Sequence, residues 1–226
     1  MFENLRAAVK KEHENRKAEA AFYILHGYCT TWAADHQKES DEGIKRHSTA
    51  TRWTAYQAGK ITREKAVELA TARRVKELEK EYAAQVARID AAEAAPDVQS
   101  IAIHIEWKRS ATWGKNPHAS VIVNHANRYT GSASGCGYDK RTTAIANAAG
   151  QSATLQKMIF ALKESALQTG DFTPHAVGEC YGMPYFAAGV GMSSYRELFR
   201  RCGLTAEVDN ESGKNFDTYY FTREAK

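Results

Sequence analysis

The run Ile101-Ala102-Ile103-His104-Ile105-Glu106-Trp107-Lys108 alternates large apolar residues with small, polar or charged ones. A period of two is the mark of a strand with one buried and one solvated face. The sequence before it is written in another period, so this run divides the chain and sets its class. Upstream, residues 2–94 hold no proline and only Gly27, Gly43 and Gly59, amid abundant Ala, Glu, Lys and Arg. These strong helix formers predict three helices separated near the glycines.

The last of the three is the most clearly bounded. Thr62 suits its N-cap, Glu64 falls in its first turn, and Pro96 closes it. Val67, Ala70, Val75, Leu78, Tyr82, Val86 and Ile89 form a narrow apolar seam. Such a seam needs a partner helix, from the same chain or from a second copy. The expectation for residues 1–96 is a helical arm, either a coiled-coil-like hairpin or a three-helix unit, with a homodimer through these helices as the other arrangement. His13, His26, His36 and His47 are too widely spaced to place two metal ligands one turn apart on a helix.

Downstream of the strand, Thr112–Pro117 reads as a loop and Ala119–Asn124 as a second strand. His125-Ala126-Asn127 reads as a turn into a third strand, Arg128–Ser132. A helix over Thr142–Ala149 follows, N-capped by Asp139 and stopped by Gly150. Ser152 caps the next, with Leu155, Met158, Ile159, Leu162 and Leu167 on one face and Gly170 at its end. A last helix spans Tyr195–Cys202, with Ser194 and Glu197 at capping-box spacing. Strands at Leu204–Val208 and Phe216–Phe221 finish the chain. The order predicts an α+β domain over 97–226, an antiparallel sheet of four or five strands with helices on one face.

The chain has 31 Lys and Arg against 27 Asp and Glu, a net charge of +4. The excess is concentrated locally. Between Trp107 and Arg141, Lys108, Arg109, Lys115, Arg128, Lys140 and Arg141 oppose the single anion Asp139. Trp113 and Tyr138 lie among them. Cations neutralise phosphates and aromatic rings stack on unpaired bases, so these residues predict an interface for nucleic acid or for a nucleic-acid-binding effector.

Two glycine-rich stretches, Ser134-Gly135-Cys136-Gly137 and Gly189-Val190-Gly191-Met192-Ser193, each precede a helix start. Ser134, Gly135, Gly137, Gly189, Gly191 and Ser193 could present backbone N–H groups to an anion, which makes a nucleotide or phosphate ligand the alternative function. Close packing of strand on helix is the rival explanation. Neither stretch is a P-loop or a dinucleotide fingerprint, and no cofactor or metal is expected. A third reading makes Cys136 a thiol nucleophile activated by Lys140 and Arg141, with His104, His118, His125 or His175 as base and Asp139 as orienter. No local signature selects such a set. Cys29, Cys136, Cys180 and Cys202 form no CxxC pair and read as reduced thiols. No apolar run is long enough for a bilayer, and the N-terminus lacks an apolar signal core, so the expected location is the cytoplasm.

The segments Ile105-Glu106-Trp107-Lys108-Arg109-Ser110-Ala111-Thr112-Trp113-Gly114-Lys115-Asn116-Pro117 and Ser134-Gly135-Cys136-Gly137-Tyr138-Asp139-Lys140 resemble a module of small phage and mobile-element proteins. Some proteins of that setting block host defences, CRISPR nucleases included. The resemblance covers residues 99–203 and carries no functional residue with it. It implies an anti-defence or nucleic-acid role, and with the basic segment it points to a non-enzymatic binding protein.

Overall fold

The computed structural model describes residues 1–26, 41–110, 114–133, 140–171, 179–180, 183–184, 192–207 and 216–223. The chain divides into two compact units, Arg6–Ala87 and Met1–Leu5 with Arg88–Lys226. Five helices occupy the front of the chain: α1 (Glu3–Ala18), α2 (Ala20–His26), α3 (Asp41–Arg46), α4 (Ala50–Gln57) and α5 (Arg63–Ala94).

In the first unit the seam of α5 finds its partner within the chain. The His13 ring stacks on Tyr82 with centroids 4.5 Å apart. Arg16 pairs with Glu81 at 2.9 Å and Lys17 with Glu79 at 3.8 Å. Residue numbers rise along α1 as they fall along α5, so the two helices are antiparallel. The Thr62 hydroxyl accepts from the Lys65 N–H at 3.3 Å, the expected cap. Ile24, Ile44, Ala66 and Ala70 close a second patch of core.

The expectation of three helices split at the glycines is corrected here. Gly43 lies inside α3, because a side chain at this position would run into the Ile24 carbonyl of α2. It is a contact glycine, and helix α3 continues through it. Gly59, with φ +69°, does act as a breaker after α4.

The second unit is built on a five-stranded antiparallel sheet. Its strands are β1 (Ser100–Ser110), β2 (Gly114–Val123), β3 (Asn127–Ser132), β6 (Leu204–Glu207) and β7 (Phe216–Arg223), in the order β3-β2-β1-β7-β6. Two short strands, β4 (Glu179–Cys180) and β5 (Met183–Pro184), pair separately. The helices are α6 (Lys140–Ala149), α7 (Ala153–Thr169) and α8 (Met192–Arg201). Ile101, Ile103 and Ile105 of β1, Val121 and Val123 of β2 and Phe221 of β7 form the inner face. Ala144, Ile145 and Ala148 from α6, Leu155 and Ile159 from α7, and Leu198 and Phe199 from α8 cover it. The α+β class with helices on one side of the sheet is therefore present as expected.

Local chemistry accounts for the boundaries. Asn124 and His125 take positive φ values of 54° and 56° in the β2–β3 turn, which shifts the turn one residue upstream of the expected His125–Asn127. Asparagine tolerates this left-handed region, and two such residues give the twist a tight hairpin needs. The Asn124 side chain also accepts from the Gln99 and Ser100 N–H groups at 2.7 and 3.2 Å. Ser152 caps α7 by accepting from the Leu155 N–H, and Gly170 ends it at φ +74°.

Two further boundaries depart from expectation. Strand β2 begins at Gly114, so Lys115, Asn116 and Pro117 are strand where a loop was predicted. Pro117 is tolerated because its backbone edge faces the side where β3 has already ended at Ser132. There its carbonyl accepts from the Ala133 N–H at 3.3 Å, and the one bond that a proline N–H cannot give falls at the end of the ladder. Helix α8 begins at Met192, so Ser194 lies within the helix rather than at its N-cap. Glu197 instead accepts from Arg200 and Arg201 at 2.8 and 3.1 Å, and those hydrogen bonds hold its carboxyl down at about 2.

Candidate nucleic-acid interface

Among the described residues, strands β1 and β2 outrun both of their neighbours. Pairing of β1 with β7 stops at Glu106 opposite Phe216, and pairing of β2 with β3 stops at His118 opposite Ser132. Beyond that level β1 and β2 continue together as a two-stranded ribbon. Trp107 is opposite Pro117, Lys108 opposite Asn116, Arg109 opposite Lys115 and Ser110 opposite Gly114. Gly114 takes φ +71° where the ribbon turns back, a conformation that suits glycine. Trp107 is half-buried and does not join the core, since the ribbon has no sheet neighbour on either side among the described residues.

Three predicted cations, Lys108, Arg109 and Lys115, sit on this ribbon. A fourth reaches its base, where the Lys140 ammonium donates to Asn116 Oδ1 at 3.3 Å. Arg141 follows in α6. Lys108 also pairs with Glu106 at 3.1 Å, with both side chains more than half exposed. The pair is solvent-screened and contributes little to stability. Among the described residues of the ribbon and its base, these four cations accompany the carboxylate of Glu106.

Arg128 is not on the ribbon. It lies on the sheet face opposite the helices, where its Nε and Nη2 donate to Ser120 Oγ at 3.1 and 2.9 Å. That face holds an open cleft of about 590 Å3 that Lys108 and Arg128 share with His104 and His118. The His104 ring is set by a 3.1 Å contact of Nδ1 with Thr218 Oγ1. Burial first, and then the charge of Arg128, lower its pKa below the ordinary histidine value. His104 is therefore neutral at pH 7.

Other predicted residues fall elsewhere. Trp113, Tyr138, Ser134, Gly135, Cys136, Gly137, Gly189 and Gly191 lie outside the described residues, as does Asp139. Ser193 is in the first turn of α8. Gly131, just ahead of the first glycine-rich stretch, is a packing residue. A side chain there would strike the Ala144 carbonyl of α6.

The cleft-lining residues Ser120, Thr130, Ser132 and Thr218 were not among the sequence candidates. Their signal was present in the same alternation that identified the strands. They occupy the polar positions between the apolar ones, and helices cover only the apolar set. Which polar positions adjoin depends on register, which alternation does not reveal.

Among the described residues, no helix is long and apolar enough to cross a membrane. No protein-family model, curated protein or solved structure matches the chain.

Proposed function

We propose that this protein binds nucleic acid, and duplex in particular, by laying the basic β1–β2 ribbon into a groove. The observation that carries the reading is the placement of Lys108, Arg109 and Lys115 on a paired ribbon that, among the described residues, extends past the neighbouring strands, with Lys140 at its base. A two-stranded ribbon has the width that the major groove of B-form DNA admits. Lysine and arginine supply the phosphate contacts, which dominate affinity and make it fall with salt. Pairing across the ribbon fixes the spacing of the cations before binding, so little ordering is required of the backbone. The role is binding rather than turnover, in keeping with the anti-defence setting that the resemblance implies.

Fluorescence anisotropy with labelled single- and double-stranded DNA and RNA, in low salt and again in 200 mM salt, tests the reading. Duplex should bind more tightly than single strands, with an affinity that drops steeply as salt rises. Absence of binding to all four at low salt overturns it and leaves a nucleic-acid-binding effector protein as the partner to seek. Equal affinity for single strands and duplex rejects insertion into a groove.

A further inference from the structure

The cleft on the sheet face that the described helices leave uncovered adjoins the ribbon through Lys108, and its chemistry points to a smaller ligand. Its centre is Arg128. Two hydrogen bonds to Ser120 Oγ hold one side of the guanidinium, and Nη1 makes no hydrogen bond among the described residues. No carboxylate lies within ion-pair distance of Arg128 among the described residues, whereas the nearby Lys108 is already paired with Glu106. A cation oriented in a concave site without a counter-ion favours an incoming anion.

The rest of the lining suits a phosphate better than a carboxylate. Thr130, Ser132 and Thr218 bring hydroxyl groups to the same cleft as neutral His104, and the carboxylate that lines it, Glu106, is paired with Lys108. Each hydroxyl can donate one hydrogen bond, and a phosphate monoester presents three acceptor oxygens to such a set where a carboxylate presents two. The cleft's volume of about 590 Å3 falls within the range of small-molecule pockets. That volume exceeds what a bare inorganic ion fills. We propose that this cleft binds a phosphate monoester carried on a body of nucleotide size, with Arg128 as the anchor of the phosphate. The phosphate could belong to a free mononucleotide or to the 5′ end of a nucleic-acid strand.

Isothermal titration of the full chain with adenosine 5′-monophosphate, adenosine and inorganic phosphate tests the site. A trinucleotide with and without a 5′-phosphate supplies two further arms. The monophosphate should bind and adenosine should not. Arg128→Gln should weaken binding at least tenfold and Ser120→Ala several-fold. Arg109→Glu combined with Lys115→Glu should leave monophosphate affinity unchanged while lowering duplex affinity at least tenfold, which separates this site from the ribbon. A phosphorylated trinucleotide that binds more tightly than the monophosphate assigns the site to strand ends, and the reverse order assigns it to free nucleotides. The proposal is overturned if no phosphate-bearing probe binds, if adenosine or inorganic phosphate binds as tightly as the monophosphate, or if the ribbon variant alone removes the signal. Unchanged affinity in a folded Arg128→Gln variant overturns it as well. Should that variant not fold, Ser120→Ala decides the matter by the same criterion.

Discussion

Arg128 and Ser120 sit diagonally across β3 and β2, joined by hydrogen bonds of 3.1 and 2.9 Å from the guanidinium to the serine hydroxyl. This contact holds a positive charge beside the neutral His104 ring. In an Arg128→Gln variant the nearby charge is gone, so the His104 pKa should rise. It should remain below the ordinary value of 6.5, because burial is the larger of the two causes. NMR titration of the His104 ring proton reads this directly. An unchanged pKa would show that Arg128 does not face His104.

The ribbon gives the second expectation. Each cation that contacts a phosphate contributes about one to the slope of log affinity against log salt. Arg109→Glu with Lys115→Glu should lower duplex affinity at least tenfold and flatten that slope by about two. Lys76→Glu with Lys80→Glu, on α5, should change both far less. Equal effects from the two pairs would place the interface elsewhere.

Gly131 is where β3 passes closest to α6. A methyl group there meets the backbone carbonyl of Ala144, which cannot rotate away as a side chain could. Gly131→Ala should therefore destabilise the protein by about 1–3 kcal/mol or more, the usual range for overpacking. Urea unfolding followed by circular dichroism measures it. A loss below about 0.5 kcal/mol would mean that the helix yields easily.

Glu164 acts as a cap for a helix far away in sequence. Phe2, just before α1, has no side-chain acceptor, and Glu164 of α7 accepts from the Asn4 and Leu5 N–H groups at 3.1 and 2.8 Å. Its residue is 6% exposed. Burial raises its carboxyl pKa, but the bonds from Leu5 and Asn4 outweigh it and leave the folded value below 4.5. A depressed carboxylate stabilises the fold above the unfolded pKa and loses that contribution as pH falls through the folded one. Glu164→Gln should cost about 1–2 kcal/mol at pH 7, as loss of a helix cap does. The difference from the parent protein should shrink below pH 4.5. A difference that stays constant down to pH 3 would show that the charge is not involved.

Cys202 should be inert. Burial pushes its thiol up to about 11, against smaller opposing effects from Arg223 and Arg201. Alkylation of Cys202 by iodoacetamide at pH 7.5, followed by peptide mass spectrometry, should be ~100-fold slower than that of an ordinary free thiol. It should become fast in urea. Rapid modification of the folded protein would contradict the burial of this residue.

The alternation of Ile101, Ile103 and Ile105 and the capping residues Thr62, Ser152 and Gly170 declare elements that local physics settles. Backbone geometry, hydrogen-bonding side chains within three or four residues and the two periodicities require no distant partner. The same holds for the α+β order and for the excess of cations between Trp107 and Arg141. Gly43 misled a local reading, and the packing of Gly131 escaped one, for the opposite reason. Their role is to admit the backbones of Ile24 and Ala144, and nothing in the flanking residues reveals what approaches them.

The sequence by itself thus determined the α+β order, the middle of the long strands and helices, and which segment is basic. The tertiary structure alone decided that β7 inserts between β1 and β6, that among the described residues β1 and β2 extend past their neighbours, and that Arg128, Ser120, His104 and Thr218 share one cleft. Those relations follow from strand register and from pairing across more than a hundred residues of chain. Register is set by how the whole apolar face meets its helices, a property that no single stretch of sequence contains.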